Sequence, residues 1–409
     1  MITRNECLAN ISPGYLFPEI AKRRREFSAE HPEAQVISLG IGNTTEPITP
    51  HIKQAMIDYV AALGTSEGYS GYGDEQGSSA LRQKIADVFY KGMADADEVF
   101  ISDGAKCDIG RIQTLFGSKV SVAVQDPAYP VYVDGSVLIG AAGAMSKENA
   151  TYEGITYMPC TPENGFFPDL SAVKENSLIY FCSPNNPTGC ASTREELTQL
   201  VQTAREKGCI IIYDAAYFAF IRDEHIPKTI FEIEGARECA IEINSFSKPV
   251  GFTGIRLGWS VVPKNLTYAD GTPIIADWNR IMTTIFNGAS NIAQAGGLAA
   301  LDTEGLKEMQ SLTDYYLENA RLIKAALEKS DCASPKIRIY GDGNSPYLWV
   351  HFPGKKSWDV FDALLEKCHI VTTPGIGFGF AGEGFVRFSS FGHRESVQEA
   401  CKRLENFTV

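Results

Sequence analysis

Between residues 95 and 260, short apolar runs alternate with amphipathic stretches of helical period, and this alternation limits the chain to few architectures. The runs Val99–Ile101, Val120–Val124, Leu178–Cys182, Ile210–Ile212 and Cys239–Ile243 read as buried strands. Residues 102–116 and 192–207 read as helices between them. The second opens on the capping-box pattern Ser192-Thr193-Arg194-Glu195-Glu196 and stops at Gly208. Strands that alternate with helices fold as a mostly parallel sheet, an α/β class. Ligands of such sheets sit outside the carboxyl ends of the strands, so the loops after these runs are where chemistry is expected.

Three of those loops carry complementary groups. Cys239–Ile243 delivers Asn244-Ser245-Phe246-Ser247-Lys248-Pro249, with Arg256 eight residues beyond the lysine. A lysine poised as a nucleophile forms a Schiff base with a carbonyl cofactor. Ser245, Ser247 and Arg256 are groups that hold a phosphate, the arginine by a bidentate fork. A lysine joined to a phosphorylated aldehyde points to pyridoxal 5'-phosphate (PLP); a turn with a solvated lysine is the alternative. Asp214, where the strand Ile210–Ile212 ends, either pairs with the pyridine nitrogen and makes the ring an electron sink or caps a following helix. Tyr217 hydrogen-bonds the ring's phenolic oxygen or packs in the core. Asn186, in Ser183-Pro184-Asn185-Asn186-Pro187-Thr188-Gly189, reaches the same oxygen, although Asn and Pro are also ordinary turn residues.

Other stretches add to the set. Small residues in Ser102-Asp103-Gly104-Ala105-Lys106 open a helix, so the Ala105 and Lys106 amides are candidates for the phosphate. The Lys106 side chain reaches in addition for a substrate carboxylate. Tyr129, after Asp126-Pro127-Ala128, stacks on the pyridine face or is a core tyrosine. Arg387 stands in the apolar run Phe385–Phe388 and needs an anion, because an unpaired buried guanidinium is costly. That anion is a substrate α-carboxylate or an internal Asp or Glu.

The order Asn-Asn-Pro-Thr-Gly, Asp-x-x-Tyr and Ser-x-Ser-Lys-x7-Arg-x-Gly resembles the class I aminotransferases of PLP fold type I, the aspartate-aminotransferase-like fold. Within these, Ser102–Lys106, Gln125–Pro130, Ile243–Trp259, Phe286–Ser290 and Gly384–Ser389 are similar to the LL-diaminopimelate aminotransferases, from about Tyr15 to His393. The resemblance implies a large domain with a mostly parallel central sheet flanked by helices, plus a smaller α+β domain. It implies amino-group exchange between LL-2,6-diaminopimelate and 2-oxoglutarate, on the way to lysine and peptidoglycan precursors. Lys248, Asp214 and Tyr217 would be its catalytic residues, and PLP its cofactor. It places Tyr15 and Gly42 along the substrate pocket and puts Arg387 on the α-carboxylate. It implies a homodimer with shared sites: Tyr72 against the neighbouring subunit's phosphate, and Glu75 and Asn287 reaching the substrate across the interface. Glu75, Lys106 and Asn287 are chemically suited to the substrate's distal ammonium and carboxylate. One departure is that Ile376 and Phe380 are bulkier than the small residues expected there. Another class I aminotransferase, for alanine, aspartate or aromatic amino acids, would keep every cofactor residue; a fold type I lyase would keep Lys248 and Asp214.

A chain of 409 residues suits two domains, expected as 45–289 (large) and 1–44 with 290–409 (small). A net charge of −13 opposes nucleic acid and anionic membranes as partners, which disfavours a DNA-binding regulator. The ten cysteines are scattered without C-x-x-C spacing and read as reduced thiols, neither disulfides nor a metal site. With no signal-like apolar segment and no membrane-length apolar run, the expected location is the cytoplasm. Gly40-Ile41-Gly42-Asn43-Thr44-Thr45 lacks the spacing of a nucleotide-binding fingerprint. Val131–Ile139 is expected to add strand material.

Overall fold

The computed structural model describes residues 1–11, 16–146, 151–330, 336–341, 343–405 and 407. Seven strands form the central sheet: β1 (Val99–Ser102), β2 (Ser121–Asp126), β3 (Ile155–Pro159), β4 (Ser177–Cys182), β5 (Ile210–Asp214), β6 (Ala240–Ser245) and β7 (Gly258–Val261). Their order is β1-β7-β6-β5-β4-β2-β3. The strands from β6 to β3 pair in parallel, and β7 runs antiparallel to both its neighbours. Near-continuous burial along β4, β5 and β6 explains why they are apolar without alternation: both faces are covered. Register places Cys182 beside Asp214 and Asp214 beside Ile243, so the three chemical loops leave the sheet side by side.

The helix Arg194–Glu206 begins with a reciprocal capping box between Thr193 and Glu196, and Gly208 follows it at φ +63°. The expectation of strand at Val131–Ile139 is corrected: Val131–Leu138 is a helix. Its three valines favour strand, but tertiary packing decides. A Cβ at Gly135 would lie 1.9 Å from the Gln113 side chain, so only glycine lets this helix pack so closely on Ala105–Phe116. Gln113 Nε2 donates to the carbonyls of Val131 and Tyr132, at 3.2 Å each, and fixes the crossing.

A second sheet runs Thr373–Pro374, Phe385–Ser389, Tyr347–His351, Arg338–Tyr340, all neighbours antiparallel. Ile37–Ser38 pairs in parallel with Ile370–Val371, tying the N-terminal segment to the C-terminal one. The 27-residue helix Thr303–Lys329, about 40 Å long by its rise per residue, joins the two bodies of core. Its Leu312 and Tyr316 pack with the central sheet, whereas Ile323, Ala326 and Leu327 pack with the second. Among the described residues no helix is long and apolar enough to cross a membrane, and no group of three His, Cys, Asp or Glu could hold a metal.

Candidate active site

The loops after β4, β5 and β6 open into a pocket of about 330 Å³. Its lining includes Gly42, Ala105, Lys106, Tyr129, Asn186, Asp214, Tyr217, Ser245, Ser247, Lys248, Arg256 and Arg387. Three sequence candidates lie outside it: Tyr72 is 93% exposed, and Glu75 and Asn287 are exposed too. Tyr15 lies outside the described residues.

Lys248 lies just after β6, and its Nζ donates to the Gly42 carbonyl. Burial, then the cations of Arg387 and Arg256, bring this amine down to about 7 from its ordinary 10.5. A near-neutral amine is what a nucleophile and proton carrier requires. Asp214 ends β5 and is buried. Its Oδ2 accepts from the Tyr132 hydroxyl at 2.7 Å and its Oδ1 from the Ala216 amide at 3.1 Å. Burial raises its proton affinity, which these two bonds oppose. Tyr132 stacks on Tyr180, ring centroids 5.2 Å apart and planes 14° apart, so the hydroxyl that aims Asp214 is itself fixed.

Opposite these groups the helix Ala105–Phe116 presents its N-terminus. Gly104, its cap, has φ +116° and supplies no side-chain cap. A Cβ there would lie 2.5 Å from Arg256 Nη2, so a bare backbone is needed for the arginine to cross. Arg256 Nη1 donates to the Ser247 hydroxyl at 3.4 Å and to the Thr253 carbonyl at 3.1 Å, while the Ser247 amide donates to the Ser245 hydroxyl at 3.0 Å. A helix terminus, two hydroxyls and a guanidinium around one hollow suit a phosphate.

The second sheet supplies Arg387 from the buried strand Phe385–Ser389. Its Nη1 donates to Asn186 Oδ1 at 2.5 Å and its Nη2 to the Gly40 carbonyl at 2.6 Å. The guanidinium lies 4.4 Å from the Tyr347 ring centroid and 4.8 Å from that of Phe378. No carboxylate pairs with it among the described residues, which disposes of the internal ion pair, and its buried Nε has no partner. A buried guanidinium with no carboxylate beside it lacks the anion that would offset its charge. Asn186, having accepted from Arg387, keeps its amide N–H groups for another partner.

Among the lining residues that the sequence did not single out, two tyrosines stand at the centre of the site. Tyr132 sits on the segment expected to be strand. Tyr347 opens the strand Tyr347–His351 and stands in no motif; its hydroxyl lies 2.9 Å from that of Tyr217. A Cβ at Gly42 would meet the Tyr347 hydroxyl at 2.4 Å, so glycine there leaves room for this hydroxyl pair. An aromatic two positions before an apolar Trp-Val pair carries no sequence signal of that kind.

A family model described as aminotransferase class I and II matches residues 34–404. The chain belongs to that family. It is 56% identical to the chloroplastic LL-diaminopimelate aminotransferase of Arabidopsis thaliana, over 99% of this chain and 87% of the relative. Against the LL-diaminopimelate aminotransferase of Protochlamydia amoebophila the identity is 53%, over 99% and 98%. The solved structure of L,L-diaminopimelate aminotransferase from Chlamydomonas reinhardtii is 57% identical and superposes with a TM-score of 0.94, covering 99% of this chain and 98% of that one. The family fits the geometry: the lysine, the buried carboxylate and the phosphate hollow are the donor set PLP requires. Gly104 lets the Arg256 guanidinium lie against the helix terminus, where the phosphate would sit.

Proposed function

We infer that this enzyme is a PLP-dependent transaminase that moves an amino group between LL-2,6-diaminopimelate and 2-oxoglutarate, giving tetrahydrodipicolinate and glutamate. The observation that carries the substrate is the 53–57% identity, over 99% of the chain, with proteins named for that reaction. This places the enzyme in the supply of lysine and peptidoglycan precursors.

PLP supplies a reactive carbonyl and an electron-withdrawing ring. In our reading Lys248 is its attachment point and Nζ then carries the proton taken from the substrate Cα, since the pocket holds that amine near neutrality at pH 7. Asp214, aimed by Tyr132, presents a carboxylate oxygen to a protonated ring nitrogen. Asn186 and Tyr217 would hold the ring's phenolic oxygen, and Tyr129 would lie over its face. Ser245, Ser247, Arg256 and the Ala105 and Lys106 amides hold the phosphate. Arg387 takes the α-carboxylate through its unpaired Nε edge and so orients the Cα–H bond.

We propose further that two copies complete one another. Tyr72 would reach the partner's phosphate hollow, Glu75 and Asn287 the distal end of the partner's substrate, with Tyr15, Gly42 and Lys106 along the same pocket. The exposure of Tyr72, Glu75 and Asn287 on a single chain is consistent with that role. In the same reading the large domain is 45–289 and the small one 1–44 with 290–409, and the free state of the described cysteines suits a reducing cytoplasm.

The test is a single turnover with one amino acid at a time. The cofactor's visible band should bleach fast with LL-diaminopimelate and with glutamate, and not with meso-diaminopimelate, lysine, aspartate or alanine. Bleaching by alanine or aspartate without diaminopimelate would replace the substrate while keeping the chemistry.

A further inference from the structure

Side chains alternate along β6. Ser245 turns to the catalytic pocket, while Glu242 and Asn244 turn to the other face of the sheet and line a separate cavity of about 760 Å³. That volume lies in the range of small-molecule sites. The catalytic function uses none of this face.

The inner end of the cavity is a finished polar network with one vacancy. Glu242 is buried; its Oε1 accepts from Tyr90 at 2.8 Å and from Asn244 Nδ2 at 2.7 Å, and its Oε2 from Thr229 at 2.6 Å and the Ile230 amide at 2.9 Å. Tyr90 in turn accepts from Trp259 Nε1 at 3.0 Å. The Glu242 bond fixes which way the Asn244 amide points. Its oxygen is left buried and unpartnered, on a side chain only 2% exposed. A buried acceptor without a donor is costly and calls for one.

The cavity wall is aromatic and aliphatic. Phe89 lies parallel to Trp259, centroids 5.3 Å apart, with Leu306 and Met309 on the far side. Three cations, Lys91, Arg222 and Lys228, share the lining with three carboxylates, Glu224, Glu232 and Glu242, the last of them fully hydrogen-bonded. Asp314 holds Arg222 at 2.6 Å, whereas the Lys228 ammonium makes no hydrogen bond among the described residues. Burial and the nearby charges of Arg222 and Lys91 hold that ammonium below its ordinary value, against Glu232 and Glu224. Crowded like charges gain from an anion placed between them.

We propose that this cavity is a second binding site, for a small organic anion with an aromatic or branched apolar body and an N–H or O–H donor at its inner end. The donor meets the Asn244 oxygen, the body lies against Phe89 and Trp259, and the anionic group sits by Lys228. Asn244 is the strand neighbour of Ser245, so an occupant lies one sheet thickness from the phosphate hollow.

Indole-3-propionate, with one ring system, one carboxylate and one N–H, is a suitable probe. Calorimetric titration of the cofactor-loaded enzyme is expected to show one probe bound per chain. Lys228→Gln should weaken it about tenfold, the worth of a hydrogen bond to a charged group, with turnover in the absence of probe unchanged. Leu306→Trp should fill the cavity and abolish binding. The proposal is overturned if the wild type takes up no probe, or if Lys228→Gln binds it as tightly as the wild type. It is equally overturned if Arg387→Lys abolishes binding while Lys228→Gln does not, since the probe then sits in the catalytic pocket. If Leu306→Trp fails to fold, the Lys228→Gln titration still decides. Each readout is binding, so the outcome is independent of which amino acid the enzyme transaminates.

Discussion

The pocket at the strand ends and the segment around Tyr72, which the proposed dimer would bring to one site, differ in state. In the pocket, Lys248, Asp214, Arg256 and Arg387 are each held by hydrogen bonds from their own chain. Tyr72, Glu75 and Asn287 stand in solvent. The first group is preorganised by one fold, which is how a site avoids reorganising during reaction. The second, in the proposed dimer, would act only against the partner copy. On the dimer proposed above, the contrast divides the site into an intrinsic half, which carries the proton chemistry and the α-carboxylate clamp, and a borrowed half, which adds a phosphate contact and reaches the substrate's distal end.

The largest effect tests the intrinsic half. Lys248→Ala should lower turnover by at least about 10⁴-fold and remove the cofactor's lysine-bound visible band, with the fold intact by circular dichroism. Steady-state activity near that of the wild type would end the assignment. The borrowed half is broken or upheld by mixing two inactive chains, Lys248→Ala and Tyr72→Ala. If Tyr72 acts across the dimer, hybrids carry one intact site, and re-equilibrated mixtures should regain about a quarter of wild-type activity, because half the dimers are hybrid. If Tyr72 serves its own chain, mixing restores nothing.

A smaller effect sharpens the intrinsic half. Tyr132→Phe removes one donor from Asp214 and should lower kcat about tenfold. Because that bond opposes protonation of Asp214, its loss should also move the acid limb of the pH–rate profile upward. A merely structural tyrosine would change the melting temperature and leave the limb in place. The mildest test is the pH dependence of cofactor capture by the cofactor-free protein, which should rise through about pH 7 as Lys248 becomes neutral. Arg387→Gln removes one of the cations that depress the amine, so the half-point should move up. The same depression opposes folding below about pH 7, where the amine must be charged in the buried site, and that cost fades as pH climbs toward the amine's ordinary 10.5.

Much of this was legible in the sequence because the loops that carry the chemistry are contiguous. Asn186, Asp214 and Lys248 each follow an apolar run, and register within a parallel sheet brings them together without any long-range inference. The Arg387 strand was legible because a cation in an apolar run demands an explanation. Tyr132 was not, since Val131–Leu138 has the composition of a strand and becomes a helix only through the fit of Gly135 against Gln113. The helix Pro50–Ala62 went unread as well; only Ile52 is buried along it, so its periodicity is weak. Exposure of Tyr72 and Glu75 depends on what lies opposite them, which no local pattern encodes.

The charge lining the catalytic pocket also governs how substrate arrives. The cations Lys106, Arg256 and Arg387 line it beside the near-neutral Lys248, with Asp214 the one carboxylate among its described lining residues, on a chain of net charge −13. A diffusing dicarboxylate therefore climbs a long, shallow repulsive hill before dropping into a narrow attractive well. Dissolved ions flatten fields beyond about 8 Å at physiological strength and leave shorter-range, partly buried attraction nearly intact. Moderate salt should thus quicken the encounter with anionic substrates, the reverse of the behaviour of an enzyme whose whole surface is complementary to its ligand.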